Sequence, residues 1–384
     1  MKRMGCILAA AVLLLSVLPG AAGAVELDVE GKSALLMDVT TGTVLYEKNA
    51  HEALPPASVT KVMTMLLIME AIDSGKIGWD DMVTASEAAA AKGGSQIYLK
   101  VGETMSVSDM VKSIAVSSAN DCACAMAEHL AGSESAFVDL MNKRAQELGM
   151  TDTHFVNCTG LDDDPEAVNH KTSAHDIALM SRELLGKHPD IKKYTTIWMD
   201  TVRNGAFGLS NTNKLIRFYS GATGLKTGFT SGAGYCLSAS AQREGMELIA
   251  VVMGCETSQK RTAACKAMLD YGFANFAVVS PQPEQELRVS VTLGKTGEVC
   301  AEPAQVEGLL IDKGQRSLVT TEVELAEIVT APVSKGQNLG TMTVKAGEQV
   351  LAQIPLVAVE PVERLTFTDL FVLVLKHAAM AKNK

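Results

Sequence analysis

The chain has 384 residues, 47% of them hydrophobic and 20% charged, an ordinary globular composition long enough for two domains. Its formal charge of −10, with no basic run or Arg/Lys patch, argues against a nucleic-acid partner.

At the N-terminus, Lys2 and Arg3 precede an apolar run from Ile7 to Leu18, which Pro19 and Gly20 break. Ala22-Gly23-Ala24 then supplies small residues for cleavage, so residues 1–24 read as a secretory signal peptide. The run falls short of the ~20 residues that a bilayer span needs. The mature chain is expected to begin near Val25 and to work outside the cytoplasm. Eight cysteines occur, and Cys6 leaves with the signal, so an odd number remains. None forms C-x-x-C, and Cys122, Cys124, Cys236 and Cys255 sit among apolar neighbours. Free buried thiols are expected, rather than a disulfide framework or a metal site.

From residue 25 to about 278 the pattern alternates between strand and helix. "SALLMDVTTGTVLYEKN" reads as two short strands joined at Thr40-Thr41-Gly42. Pro55-Pro56 opens a long apolar helix that ends at Asp73-Ser74-Gly75. Further helical stretches follow in "SVSDMVKSIAV", "AFVDLMNKRAQELG" and "SAHDIALMSRELLG". Two late strands, "GYCLSASAQ" and "MELIAVVMG", precede a last helix around "RTAACKAMLDYGFANF". Strands at both ends with helices between them suggest one α+β unit whose sheet pairs early and late strands. After the Pro281- and Pro283-bearing linker, residues 279–362 carry short β-type runs with no strong helix signal, as in a small all-β domain.

The apolar helix starts Ala57-Ser58-Val59-Thr60-Lys61. Ser58 and Lys61 are three apart, so on a helix they share a face. A serine hydroxyl needs a base to become a nucleophile, and a lysine made neutral by burial or a cationic neighbour can serve. The helix N-terminus adds partial positive charge beside it. Alone, S-x-x-K equally fits a serine that merely caps a helix. Two further elements change that: Ser118-Ala119-Asn120, an S-x-N, and Lys226-Thr227-Gly228 between "SGATG" and "FTSGAGYCL". These three patterns together are the signature of penicillin-binding proteins and class A β-lactamases.

With "PPASVTKVMT", "GGSQIYL", "SSANDCACAMAEHLAGS", "GLKTGFTSGAGYCLSASA" and "LIAVVMG", the chain resembles a D-alanyl-D-alanine carboxypeptidase, the low-molecular-mass type of penicillin-binding protein. The resemblance covers nearly the whole chain. It implies a penicillin-binding-protein/β-lactamase-like catalytic domain, with an antiparallel sheet and helices, at residues 25–278. A β-rich domain and a C-terminal amphipathic helix at 363–384 would follow. The implied partners are peptidoglycan stem peptides and β-lactam antibiotics, with no cofactor and no metal.

Matched motif by motif, the resemblance makes Ser58 the nucleophile and Lys61 its general base. Ser118 relays a proton to the leaving D-alanine, and Asn120 binds the substrate amide and orients Lys61. Lys226 and Thr227 meet the terminal carboxylate. The backbone N–H groups of Ser58 and Phe229, beside Gly228, form an oxyanion hole. Arg261 matches an arginine that draws in the carboxylate, although its position also suits a plain surface charge. Phe229 stands where some members have histidine, and Thr212 stands most nearly where some have arginine.

A second Lys-Thr-Gly, Lys295 to Gly297, lies past the linker and reads as a turn; a P-loop would need glycine where Val289 stands. Asp162-Asp163-Asp164 lacks the spaced ligands of a calcium loop, and His170 and His175 lack the spacing of a zinc site, so a solvated loop is expected there. A β-lactamase is disfavoured because no E-x-x-L-N string lies between Asn120 and Lys226. An idle binding protein would have no use for the nucleophile–base pair.

In the tail, "LTFTDLFVLVLKHAAMAKNK", Asp369, Lys376 and Asn383 recur every seven residues opposite an apolar side that includes Phe367, Leu370, Phe371 and Val374. Such a helix is expected to lie in a membrane interface, with Lys382 and Lys384 favouring anionic lipid, on the outer face of the cytoplasmic membrane. The other reading is a helix docked on the β domain.

Overall fold

The computed structural model describes residues 27–163, 165–304, 308–372 and 374. The expected signal peptide and most of the tail lie outside them. The described residues divide into two compact units, one up to Phe276 and one from Ala277 onward. The second unit starts two residues before the expected boundary because Phe276–Val279 form a strand paired with Leu309–Asp312.

In the first unit, β1 (Ser33–Asp38) and β2 (Val44–Lys48) make a hairpin. Its turn is tied by Asp38, whose carboxylate accepts from the N–H (2.7 Å) and hydroxyl (2.8 Å) of Thr41. The late strands are β3 (Ala222–Thr230), β4 (Gly234–Arg243) and β5 (Met246–Cys255). They complete an antiparallel sheet of order β2-β1-β5-β4-β3, with Leu36 opposite Ala250. Early and late strands pair as expected, which leaves β3 at the edge.

The helices start where serine or threonine can cap them. Ser106 accepts from Asp109 N–H at the head of α2 (Val107–Ser117), and Ser133 from Ala136 N–H at α4 (Glu134–Glu147). Ser173 does the same at α5 (Ala174–Lys187) and Thr257 at α6 (Ser258–Asn275). Each cap satisfies a donor that the first turn cannot pair, worth ~1 kcal/mol. α1 (Lys61–Asp73) has no such cap and is apolar nearly all round, so it is held by packing. Val62, Met63, Met65, Leu66, Ile68 and Met69 are wholly buried, each contributing roughly 1.5–3 kcal/mol of transfer energy. α3 (Asn120–Ala131) lies beside it, packed through Cys122, Ala123 and Met126.

The second unit holds a six-stranded sheet in which β6 (Leu287–Thr292), β7 (Glu298–Pro303), β8 (Val319–Leu325), β9 (Ile328–Thr330), β10 (Asn338–Ala346) and β11 (Gln349–Ala358) run in the order β8-β10-β11-β7-β6-β9. β6 alternates buried and exposed residues along its length, setting Leu287, Val289 and Val291 into a core with Val299, Met342, Val344 and Leu356. β7 was not expected from sequence, since Glu298 and Glu302 interrupt its apolar residues.

Cys122, Cys124, Cys158, Cys236, Cys255, Cys265 and Cys300 are all free, and all but Cys300 are buried.

Candidate active site

The first turn after Pro56 is a 3-10 helix, Ala57–Thr60, rather than the start of the α-helix. Ser58 and Lys61 therefore straddle the junction with α1, yet their side chains meet. Lys61 Nζ is hydrogen-bonded to Ser58 Oγ at 2.9 Å and donates to the Thr159 carbonyl at 2.7 Å. Lys61 is fully buried, and burial brings its pKa down to about 7, against smaller opposing pulls from Cys158 and Asp121. A neutral amine against a hydroxyl is a base in contact with its nucleophile.

Two glycines let flanking segments close on that turn. A Cβ on Gly160 would lie 1.8 Å from the Ala57 carbonyl oxygen, and φ there is +80°. A Cβ on Gly228 would lie 2.7 Å from Pro56 O and 3.1 Å from Ser58 N. Neither position tolerates a side chain, so β3 and the loop holding Gly160 approach the Ala57–Ser58 backbone closely.

Lys226 lies on β3, buried, and its Nζ donates to the Thr227 carbonyl at 2.8 Å. Burial, followed by the charges of Lys61 and Arg261, holds its pKa well below the ordinary lysine value. Thr227 Oγ1 donates to Thr212 Oγ1 at 2.7 Å, so the residue at the family arginine's place touches the Lys-Thr-Gly strand directly. Phe229 projects outward, more than half exposed, with its ring 4.3 Å from that of Tyr235. Arg261 is not a surface charge: it is 7% exposed, its Nη1 lies 3.4 Å from the Gly228 carbonyl, and its Nε has no partner. Its guanidinium stands over the Tyr235 ring at 5.6 Å.

Ser118 terminates α2 in the left-handed conformation, φ +63°, and Asn120 opens α3. Both are buried. Among the described residues the Ser118 hydroxyl has no hydrogen-bond partner, which leaves it open to a substrate. Asn120 Nδ2 donates to the Gly93 carbonyl at 2.8 Å, while its Oδ1 is buried and unpaired. The structure corrects the expectation that Asn120 orients Lys61: the Thr159 carbonyl does so. Lys295 lies in the all-β unit at a bend, with its ammonium on the carboxylate of Glu363.

Three residues of the site were not legible in sequence. Asn157 Oδ1 accepts from the N–H of Thr159 (3.1 Å), the hydroxyl of Thr159 (3.1 Å) and the N–H of Gly160 (2.6 Å), fixing the loop that presents the Thr159 carbonyl. His170 is also not in a solvated loop as expected. It is 3% exposed and hydrogen-bonded to Thr60. A lone asparagine, threonine or histidine carries no signal of such roles. Asp162 and Asp163 are exposed, Asp164 lies outside the described residues, and no metal-holding cluster occurs among those described.

Comparison with known proteins agrees over most of the chain. Residues 21–257 match a family described as D-alanyl-D-alanine carboxypeptidase, and residues 282–364 match a penicillin-binding protein 5 C-terminal domain. The D-alanyl-D-alanine carboxypeptidase DacF of Bacillus subtilis is 43% identical over 379 residues, 96% of either chain. DacC of Escherichia coli is 35% identical over 88% of this chain and 85% of its own. Among solved structures, penicillin binding protein 5 from Haemophilus influenzae aligns at a TM-score of 0.73 and 32% identity, covering 89% of this chain and all of that one. Penicillin-binding protein D2 from Listeria monocytogenes, in its ampicillin-bound form, aligns at 0.59 and 33%, covering 64% of this chain and 99% of its own.

Proposed function

Since the chain belongs to the D-alanyl-D-alanine carboxypeptidase family and is a penicillin-binding serine-peptidase hydrolase acting on peptidoglycan, we propose that Ser58 removes the terminal D-alanine of stem pentapeptides through an acyl-enzyme. One observation carries this assignment: a buried lysine with a pKa of about 7 hydrogen-bonded to a serine hydroxyl at the mouth of a helix.

Ser58 Oγ adds to the carbonyl carbon of the penultimate D-alanine as its proton passes to Lys61 Nζ. The oxyanion forms between the N–H groups of Ser58 and Phe229. Each such donor is worth ~3–4 kcal/mol in the transition state. When the C–N bond breaks, the proton goes to the departing amine by way of Ser118. Water then attacks the ester by the reverse route, releasing the tetrapeptide and restoring Ser58.

Burial disfavours the charge of both Lys226 and Arg261, and the charge of Arg261 lowers the Lys226 pKa further, so an anion at this place would be welcome. The substrate's terminal carboxylate supplies that anion. Asn120 Oδ1, buried without a donor, is suited to the substrate amide N–H. β3 is the sheet edge, along which an extended peptide can pair.

The N-terminal segment directs export, and the tail lies in the membrane interface on the outer face of the cytoplasmic membrane. Supporting the tail's role, Phe367, Phe371 and Val374 are exposed rather than packed on the β unit. No helix of the described residues is long and apolar enough to cross a bilayer. Following D-alanine release from a pentapeptide ending in D-Ala-D-Ala tests the reaction. Wild type should release it and Ser58→Ala should not; release by the variant would overturn the assignment.

A further inference from the structure

We propose that Thr60 and His170 are positioning residues that aim the Ser58 N–H into the oxyanion hole by holding the carbonyl of the Ala57–Ser58 peptide. The proposal rests on the reading above, in which Ser58 is the nucleophile and its N–H an oxyanion donor.

Ala57 has φ +48°, a left-handed conformation that an alanine does not keep unaided. Its carbonyl accepts from Thr60 Oγ1 at 2.8 Å. A hydroxyl has one proton, and this bond uses it. The contact of 2.8 Å between Thr60 Oγ1 and His170 Nε2 must therefore be donated by the histidine. The other end of the ring agrees, because His170 Nδ1 accepts from the Val156 N–H at 3.0 Å. Every atom of the chain Val156 N–H, His170, Thr60, Ala57 C=O thus has one role, and only the neutral Nε2–H tautomer satisfies it.

Burial, followed by the charges of His154 and Lys61, lowers the pKa of His170 to about 4, so the ring is neutral where such an enzyme works. The ring is also braced edge-on by Phe155 at 5.7 Å. A trans peptide is planar, with C=O and N–H opposed. Anchoring Ala57 O towards Thr60 turns Ser58 N–H the other way, and Ser58 N lies close to Gly228 of β3. Gly160 packs on the same Ala57 carbonyl.

The test compares Thr60→Val, which keeps shape and loses the hydroxyl, with Thr60→Ser, which keeps the hydroxyl. For each, kcat and KM of D-alanine release are measured beside the affinity for a D-alanyl boronate, which forms a tetrahedral adduct in the oxyanion hole. Thr60→Val should lower kcat by roughly ten- to a hundredfold, weaken the boronate by a similar factor and leave KM nearly unchanged, while Thr60→Ser restores both. Unchanged kcat and boronate affinity in folded Thr60→Val would overturn the proposal. Should Thr60→Val not fold, His170→Gln, whose amide can still donate to Thr60, is set against His170→Leu. A higher kcat in the glutamine variant supports the proposal, and equal values overturn it. Ser58→Ala separates the two readings: acylation persisting there removes the nucleophile assignment itself, whatever Thr60 does.

Discussion

At the scale of single residues, Lys61 is fitted to the base's role proposed for it because the fold strips water from it. Its pKa of about 7 is set first by burial, so it is neutral above that value and protonated below it. A protonated amine cannot take the Ser58 proton, so kcat/KM for D-alanine release should rise with pH and level off above about 7. A profile flat from pH 5 to 9 would contradict the role. The two Lys-Thr-Gly copies give a second prediction. Lys226→Ala removes a buried amine of the Lys-Thr-Gly strand, with its place for the substrate carboxylate, and should cost several orders of magnitude in kcat/KM. Lys295→Ala loses only an exposed pair with Glu363 and should leave activity nearly intact. Similar kinetics for the two would misplace the site. Ser58, Lys61, Ser118, Asn120 and Lys226 could be singled out in sequence as candidates because side-chain chemistry at fixed short spacings leaves a local mark. Thr159 could not, because it acts through its carbonyl, which every residue has. His170 was misread because burial is decided by distant segments, here Thr60 and Phe155.

At the scale of elements, the hairpin, the apolar α1 and the helices α2, α4 and α5 could be read from turn residues and hydrophobic runs. The 3-10 turn at Ala57–Thr60 could not, because its left-handed Ala57 is held by the Thr60 hydroxyl and enclosed by Gly160 and Gly228, which close on it from distant segments. β7 escaped because its partners β6 and β11, not its own pattern, keep it in the sheet. The loop around Asn157 is the element that places the Lys61 amine, through the Thr159 carbonyl. Gly160→Ala would force a Cβ into the Ala57 carbonyl, at a φ that disfavours any side chain. It should reduce penicillin acylation at least tenfold, by roughly the effect of one misplaced oxyanion donor, with Lys61 displaced from Thr159. Acylation at the wild-type rate in folded Gly160→Ala would show that this close approach is not needed.

At the scale of the whole molecule, a catalytic unit is followed by an all-β unit that carries no part of the described site. The composition change after Phe276 made this division legible, and the boundary shifted because Ala277 and Val278, expected to close the first domain, belong to a strand paired with Leu309–Asp312. Deleting residues 365–384 should leave D-alanine release unchanged and free the protein from liposomes containing anionic lipid. Sedimentation of the truncated protein with those liposomes would place the membrane contact elsewhere. The central claim, that Ser58 is the nucleophile, is tested most directly by mass spectrometry of the penicillin-treated protein. One covalent adduct is predicted, on the peptide containing Ser58, and none in Ser58→Ala. An adduct on any other peptide, or one that survives that substitution, would contradict it.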